Sequence, residues 1–161
     1  LHFPDRFERV VLESASPGLK TKAEQSQRLQ ADLQLAQKLE NSNIKEFLLN
    51  WYDRPLFQSL KNSPKFDRLI EARLTNNPIE LAKSLRNMGT GNQPSLWKQL
   101  GQNQIPLLLL AGEYDDKFTT INTEIASLCP TASLKKKKKT GHNIHWENIE
   151  LFVEIVRQFY D

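Results

Sequence analysis

The hydrophobic pattern changes most sharply at Leu107 to Leu110, an unbroken apolar run inside the stretch Ile105 to Phe118. A short run of this kind, closed by Ala111 and Gly112, predicts a strand buried on both faces. Arg9 to Ala15, with Val10, Val11 and Leu12 at its centre, predicts a second strand, broken by Ser16-Pro17-Gly18. Between the two strands the pattern is helical. Leu29, Leu33, Ala36 and Leu39 form one apolar face within Lys20 to Glu40, and Ile44, Phe47, Leu48 and Trp51 form another, interrupted at Asp53-Arg54-Pro55. Phe66, Leu69, Ile70 and Leu74 mark a third helix over Pro64 to Thr75. Asn77-Pro78 opens a fourth, with Ile79, Ala82, Leu85 and Met88 on its face. About eighty residues of nearly pure helix between two strands exceed an ordinary crossover of a dozen or more, and predict an inserted helical layer.

After the leucine run, Thr119 is a candidate cap for a helix through Leu128, with Ile121 and Ile125 on its inner side. Thr131 to Lys137 predicts a last strand, and Asn148 to Tyr160 an amphipathic closing helix carrying Leu151, Phe152, Ile155, Val156 and Phe159. Leu1 to Asp5 reads as the tail of a helix, with neither an initiator Met nor a signal-peptide pattern, so a piece of a longer polypeptide is expected. Strand, helices, strand, helix, strand and helix in that order define an α/β fold class.

Composition narrows the picture little. The chain has 161 residues, 39% hydrophobic and 25% charged, enough for one domain with a core. No apolar run reaches the ~20 residues of a membrane helix, so no membrane partner is expected. The net charge of +3 does not demand nucleic acid. A run of lysines, Lys135 to Lys139, sits on or beside the last expected strand, where lysine commonly blunts a sheet edge. The single cysteine, Cys129, suits a reducing, cytoplasmic setting and reads as a small buried apolar residue.

Candidate chemistry begins at the end of the leucine run. Asp115 follows a buried strand, where open α/β sheets place their sites, and His142 lies in the Gly-containing loop Thr140-Gly141-His142-Asn143. A carboxylate that fixes the tautomer of a proton-carrying histidine makes two parts of a nucleophilic triad, and acid before histidine is the α/β-hydrolase order. The alternative is a loop Asp that caps the next helix and a surface His. His142, His145, Glu147 and Cys129 could be read as metal ligands, but the spacing is loose for zinc and no second ligand pair exists. Lys135 to Lys139 could serve an anion-binding module, although a charge run is usually just solvated.

The patterns Gly112-Glu113-Tyr114-Asp115-Asp116-Lys117-Phe118 and Gly141-His142-Asn143-Ile144-His145-Trp146-Glu147-Asn148 resemble the C-terminal part of an α/β-hydrolase. More narrowly, Gly18-Leu19, Arg28, Asp32, the run Trp51-Tyr52-Asp53-Arg54-Pro55-Leu56-Phe57, and Arg73 with Asn76-Asn77 resemble the lid of the 2-succinyl-6-hydroxy-2,4-cyclohexadiene-1-carboxylate synthase family of menaquinone and phylloquinone biosynthesis. The resemblance implies a partial hydrolase core at 1–18 and 99–161 with a helical cap at 19–98. It implies Asp115 as triad acid, His142 as base, and Arg28, Trp51 and Arg73 facing a small polycarboxylate substrate from which pyruvate is eliminated, making the whole protein a carbon–oxygen lyase. No metal and no cofactor are implied. Taken without the resemblance, Arg28 is a solvent-facing helix residue, Trp51 packs in a core, and Arg73 either lines an interior or snorkels. The family's Gly-x-Ser-x-Gly nucleophile elbow does not occur in this sequence, and Ser14 and Ser16 lack its glycines. This chain alone is therefore expected to be catalytically silent and to need a complementing N-terminal segment. A generic ester or C–C bond hydrolase is the same-fold alternative.

Overall fold

The computed structural model describes Leu1 and residues 3–161. They form two compact units: a sheet unit of Leu1–Ser16, Pro55–Ser63 and Leu96–Asp161, and a helical unit of Pro17–Arg54 and Pro64–Ser95. The segment 55–63, inside the stretch expected as cap, thus clusters with the sheet.

The sheet unit is built on β1 (Val10–Glu13), β2 (Leu107–Gly112) and β3 (Ala132–Lys137), all parallel, in the order β1-β2-β3. Glu13 lies opposite Leu110, and Gly112 opposite Lys137. Every residue of β2 is buried. Alternation explains why the leucine run has no polar position. Leu107 and Leu109 pack with Leu100, Ile125 and Cys129, while Leu108 and Leu110 pack with Ile144 and Ile155. A helix therefore covers each face, α6 (Asp116–Leu128) on one and α8 (Ile149–Tyr160) on the other, the latter preceded by the short α7 (Ile144–Glu147). Cys129 is 1% exposed, as a small core residue would be.

Three local expectations need correction. Helix α6 starts at Asp116, capped by Asp115, not at Thr119. The Asp115 carboxylate accepts from the Phe118 N–H at 3.1 Å, and a negative charge suits a helix N-terminus better than a hydroxyl, while Thr119 Oγ1 donates to the Gly112 carbonyl. At the amino end, no helix tail is found among the described residues. Pro4–Arg6 is a single 3-10 turn, and His2 lies outside the described residues. Pro55–Phe57 and the four-residue α3 (Gln58–Lys61) occupy a stretch in which no element was expected.

The helical unit holds α1 (Lys22–Asn41), α2 (Ile44–Tyr52), α4 (Phe66–Leu74) and α5 (Pro78–Met88). Their starts are written in the sequence: Thr21 and Glu24 form a capping box, and Asn43 and Asn77 cap α2 and α5. The core gathers Ala36, Leu39, Phe47 and Ala82. Two faces are narrower than the apolar spacing suggested. Leu33 is 43% exposed because the buried stripe of α1 runs through Asp32, Ala36 and Leu39, a helical step of about 100° away, and Met88, the last residue of α5, is 71% exposed. No helix among the described residues is long and apolar enough to cross a membrane.

Glu40 on α1 and Arg86 on α5 are joined by two hydrogen bonds. The guanidinium holds the Glu40 carboxyl below the usual carboxylate range. A carboxyl whose pKa is lowered by folding stabilises the fold above the unfolded-state value, and this contribution is lost as pH falls through the folded-state value. Glu40→Gln should therefore lower Tm at neutral pH, and the gap between the two proteins should narrow as pH falls below the ordinary carboxylate range of about 4. Thermal unfolding across that range checks it; a gap that widens in acid would overturn the sign.

Candidate active site

Asp115 stands just beyond the end of β2, and its residue is 2% exposed. One carboxylate oxygen, Oδ1, caps α6 through the Phe118 N–H. The other, Oδ2, lies 2.7 Å from His142 Nδ1. The two readings open at the sequence level, helix cap and triad acid, thus fall on the two oxygens of one side chain. With the carboxylate ionised, His142 Nδ1 carries the proton and Nε2 is left as the basic nitrogen. The ring contacts Phe57 and Phe118, with centroids at 5.7 and 4.7 Å.

The His142 loop is fixed by backbone contacts to the turn after β2. Glu113 N–H donates to the Lys137 carbonyl at 2.8 Å, and Tyr114 N–H to the Thr140 carbonyl at 3.0 Å. Glu113 Oε2 accepts from Lys139 N–H, where the backbone enters the left-handed region at φ 58°. Glu147 accepts from Gly141 N–H at 2.9 Å and from Ser59 Oγ at 3.1 Å. Gly112 lets the two loops close, since a Cβ there would lie 2.1 Å from the Gly141 carbonyl oxygen and 2.4 Å from that of Thr140. A second imidazole–carboxylate pair, His145 Nδ1 to Glu13 Oε2 at 2.7 Å, lies in the same unit.

The other expected site residues belong to the helical unit. Arg28 Nε donates to Asp32 Oδ1 at 2.8 Å and lines a hollow of about 280 Å³ together with Leu35, Lys38 and Arg54. Trp51 stacks on Phe47, carries the Arg54 guanidinium 4.0 Å over its ring, and lines an adjoining hollow that again includes Lys38 and Arg54. Arg73 is exposed in the last turn of α4 and lines neither hollow, so an interior position within its own unit is not observed. Lys38 was not singled out in the sequence, and Arg54 appeared only within the lid run, without a site role. The only signal was Arg54 one helical turn beyond Trp51. Of the residues in the rival metal reading, His142 and His145 engage different carboxylates, and among the described residues no three His, Cys, Asp or Glu gather to hold an ion.

A three-stranded parallel sheet with helices on both faces, and a histidine on a buried carboxylate beyond its strand ends, defines part of an α/β-hydrolase. Solved relatives of that fold include MGS-M2, an alpha/beta hydrolase enzyme from a deep-sea metagenome, with TM-score 0.69 and 17% identity over 98% of this chain and 57% of that one. That likeness carries the fold alone. MenH from S. aureus is much nearer, with TM-score 0.92 and 38% identity over 95% of this chain and 58% of its own. The putative 2-succinyl-6-hydroxy-2,4-cyclohexadiene-1-carboxylate synthase of Bacillus subtilis is 40% identical over 160 residues, which are 98% of this chain and 58% of that protein. The chain is thus a homologue of the synthases named for that product, as its lid and loop motifs suggested, and spans somewhat more than half of their length. No family-level sequence profile matches it.

Gly112→Ala should push the His142 loop back, because both close atoms are backbone oxygens. We expect a loss of about 1–3 kcal/mol in denaturant unfolding, with loss of the low-field His142 Nδ1 proton resonance. Wild-type stability together with an intact resonance would show that the loops close without needing a glycine.

Proposed function

We propose that this chain carries the acid and the base of a Ser-His-Asp triad in a lyase that forms 2-succinyl-6-hydroxy-2,4-cyclohexadiene-1-carboxylate by eliminating pyruvate. The observation that carries the reading is the 2.7 Å contact of His142 Nδ1 with the buried Asp115, supported by homology over 98% of the chain. In the whole protein, a serine outside this sequence, deprotonated by His142 Nε2, takes the proton that starts the elimination. The electrons left behind form an enolate, the C–O bond to the enolpyruvyl group breaks, and the departing group is protonated to pyruvate. Asp115 keeps the imidazole in the Nδ1–H tautomer and stabilises the imidazolium. Oxyanion donors, also outside this sequence, hold the enolate charge. Metal and cofactor have no part in these steps. Without the serine the chain by itself is inactive, and a complementing segment supplies it.

The helical unit, Pro17–Arg54 and Pro64–Ser95, is the substrate-binding cap in this proposal, close to the 19–98 expected from the sequence. Arg28 and Arg73 grip carboxylates of the small polycarboxylate substrate, and Trp51 supplies a flat apolar wall. Lys38 and Arg54 add two cations to the hollows that Arg28 and Trp51 line, which suits a polyanion better than a neutral ester. A reducing, cytoplasmic setting suits the buried free thiol of Cys129.

In the full-length protein, Asp115→Asn and His142→Ala should each lower kcat by about 10²–10⁴-fold while substrate still binds. Steady-state kinetics and equilibrium binding check this, and near-normal rates in both would remove the triad assignment. Arg28→Ala and Arg73→Ala should weaken turnover of the polycarboxylate by about 10-fold or more and leave a neutral ester nearly unaffected. Equal losses on both substrates would instead favour a generic esterase with structural arginines.

A further inference from the structure

Glu13 is the last residue of β1, and its carboxylate is bound twice by one residue. His145 N–H donates to Oε1 at 3.1 Å, and His145 Nδ1 lies 2.7 Å from Oε2. His145 sits in the first turn of α7, the helix that begins immediately after the His142 loop. On its other side the loop is tied by Glu147, which takes Gly141 N–H and Ser59 Oγ. His142 therefore lies on a strap of a few residues with a carboxylate anchor at each end. The Glu13 anchor is referenced to the sheet: Glu13 is in register with Leu110 of β2, the strand that runs on to Asp115. The side chain of Glu13 is 16% exposed and that of His145 40%, so the carboxylate is largely withdrawn from water while the ring stays open to it, and the anchor rests on two hydrogen bonds to one carboxylate more than on charge. The His145 ring stands edge-on to Phe152 at 6.0 Å.

We propose that Glu13 and His145 are positioning residues for the catalytic base: Glu13 locks the first turn of α7 to the end of β1, and thereby sets where His142 presents Nε2. Neither residue has a role in the proton transfers themselves. The pair transmits the position of β1 to the loop, as Asp115 transmits that of β2, so acid and base are located from neighbouring strands in one register. Displacements of about 1 Å at a reacting group can cost on the order of 10²-fold in rate, so a clamp of this kind need add no contact to the substrate to matter.

The inference rests on His142 being a base but not on the identity of the substrate. Its test has one readout that needs no substrate. In full-length protein labelled with ¹⁵N at histidine, both His142 and His145 should carry a proton on Nδ1, held toward their carboxylates, with the His142 Nδ1 proton resolved at low field. Glu13→Gln keeps the acceptor for His145 N–H but turns an amide donor toward His145 Nδ1. His145 should then switch to the Nε2–H tautomer, the His142 Nδ1 proton should broaden through faster solvent exchange, and kcat should fall about 10-fold or more with KM within about 3-fold. His145→Gln, which keeps the backbone contact, should show a smaller loss in the same sense, and carries the test alone should Glu13→Gln not fold. An unchanged His142 resonance with kcat within about 2-fold in the folded variant would overturn the proposal. If the His142 resonance responds but the polycarboxylate is not turned over by the parent protein, the positioning role stands and the substrate reading fails.

Discussion

The Asp115 carboxylate is asked to satisfy two elements at once. Its Oδ1 takes the Phe118 N–H and so starts α6, and its Oδ2 takes His142 Nδ1. A carboxylate withdrawn from water must find hydrogen-bond donors or it becomes a large penalty. Here the donors come from the helix that follows the strand and from a loop far along the chain, so burial of this one charge ties three segments together. Removing the histidine leaves a buried oxygen without its donor, and removing the acid leaves both a helix end and an imidazole unsupported. The site is for this reason a structural joint as well as a candidate catalytic group.

The joint is only as well defined as the strands beneath it. β1, β2 and β3 run in the same direction with fixed register, so Glu13, the Gly112 turn and the loop after Lys137 all emerge at one rim of the sheet. This is where open α/β sheets collect side chains that act on ligands. The rim is drawn together by backbone bonds of Glu113 and Tyr114 to the far loop, which are possible because Gly112 carries no side chain between them. Sequence-distant residues meet because strand order and a missing Cβ allow it, with no special affinity between them needed at the outset.

These particulars explain what could be read beforehand. The leucine run announced a strand buried on both faces because two different cores claim its alternate residues. Helix starts were legible at Thr21, Asn43 and Asn77, where a side chain of the right kind immediately precedes an apolar period. Asp115 and His142 were visible as types in the right order. The rest required partners that spacing does not reveal. Thr119 looked as good a cap as Asp115 until the carboxylate's position was known. Leu33 fits an apolar period, yet the buried stripe passes through Asp32, which Arg28 accompanies on one side. Pro55–Ser63 lies between helices of one unit in sequence and clusters with the other, carrying Phe57 to the ring of His142. Glu13 and His145 look like a strand end and a loop polar residue, and only their mutual reach makes them a pair.

Two imidazole–carboxylate pairs three residues apart raise the question of why one and not the other should be the base. The side chains of Asp115 and His142 are 0% and 19% exposed, and those of Glu13 and His145 are 16% and 40% exposed. A carboxylate sealed from water acts on its partner at lower effective dielectric, so it holds the tautomer and the imidazolium more strongly. His142 also lies against two phenyl rings, Phe57 and Phe118, which limit the orientations its imidazole can take. His145 meets a single ring and water, and Glu13 holds both its backbone and its side chain, which suits an anchor better than a group that must accept and return a proton. On the proposed reading, burial sets the division of labour: the drier pair suits proton transfer, and the wetter one suits fixing the loop that carries His142.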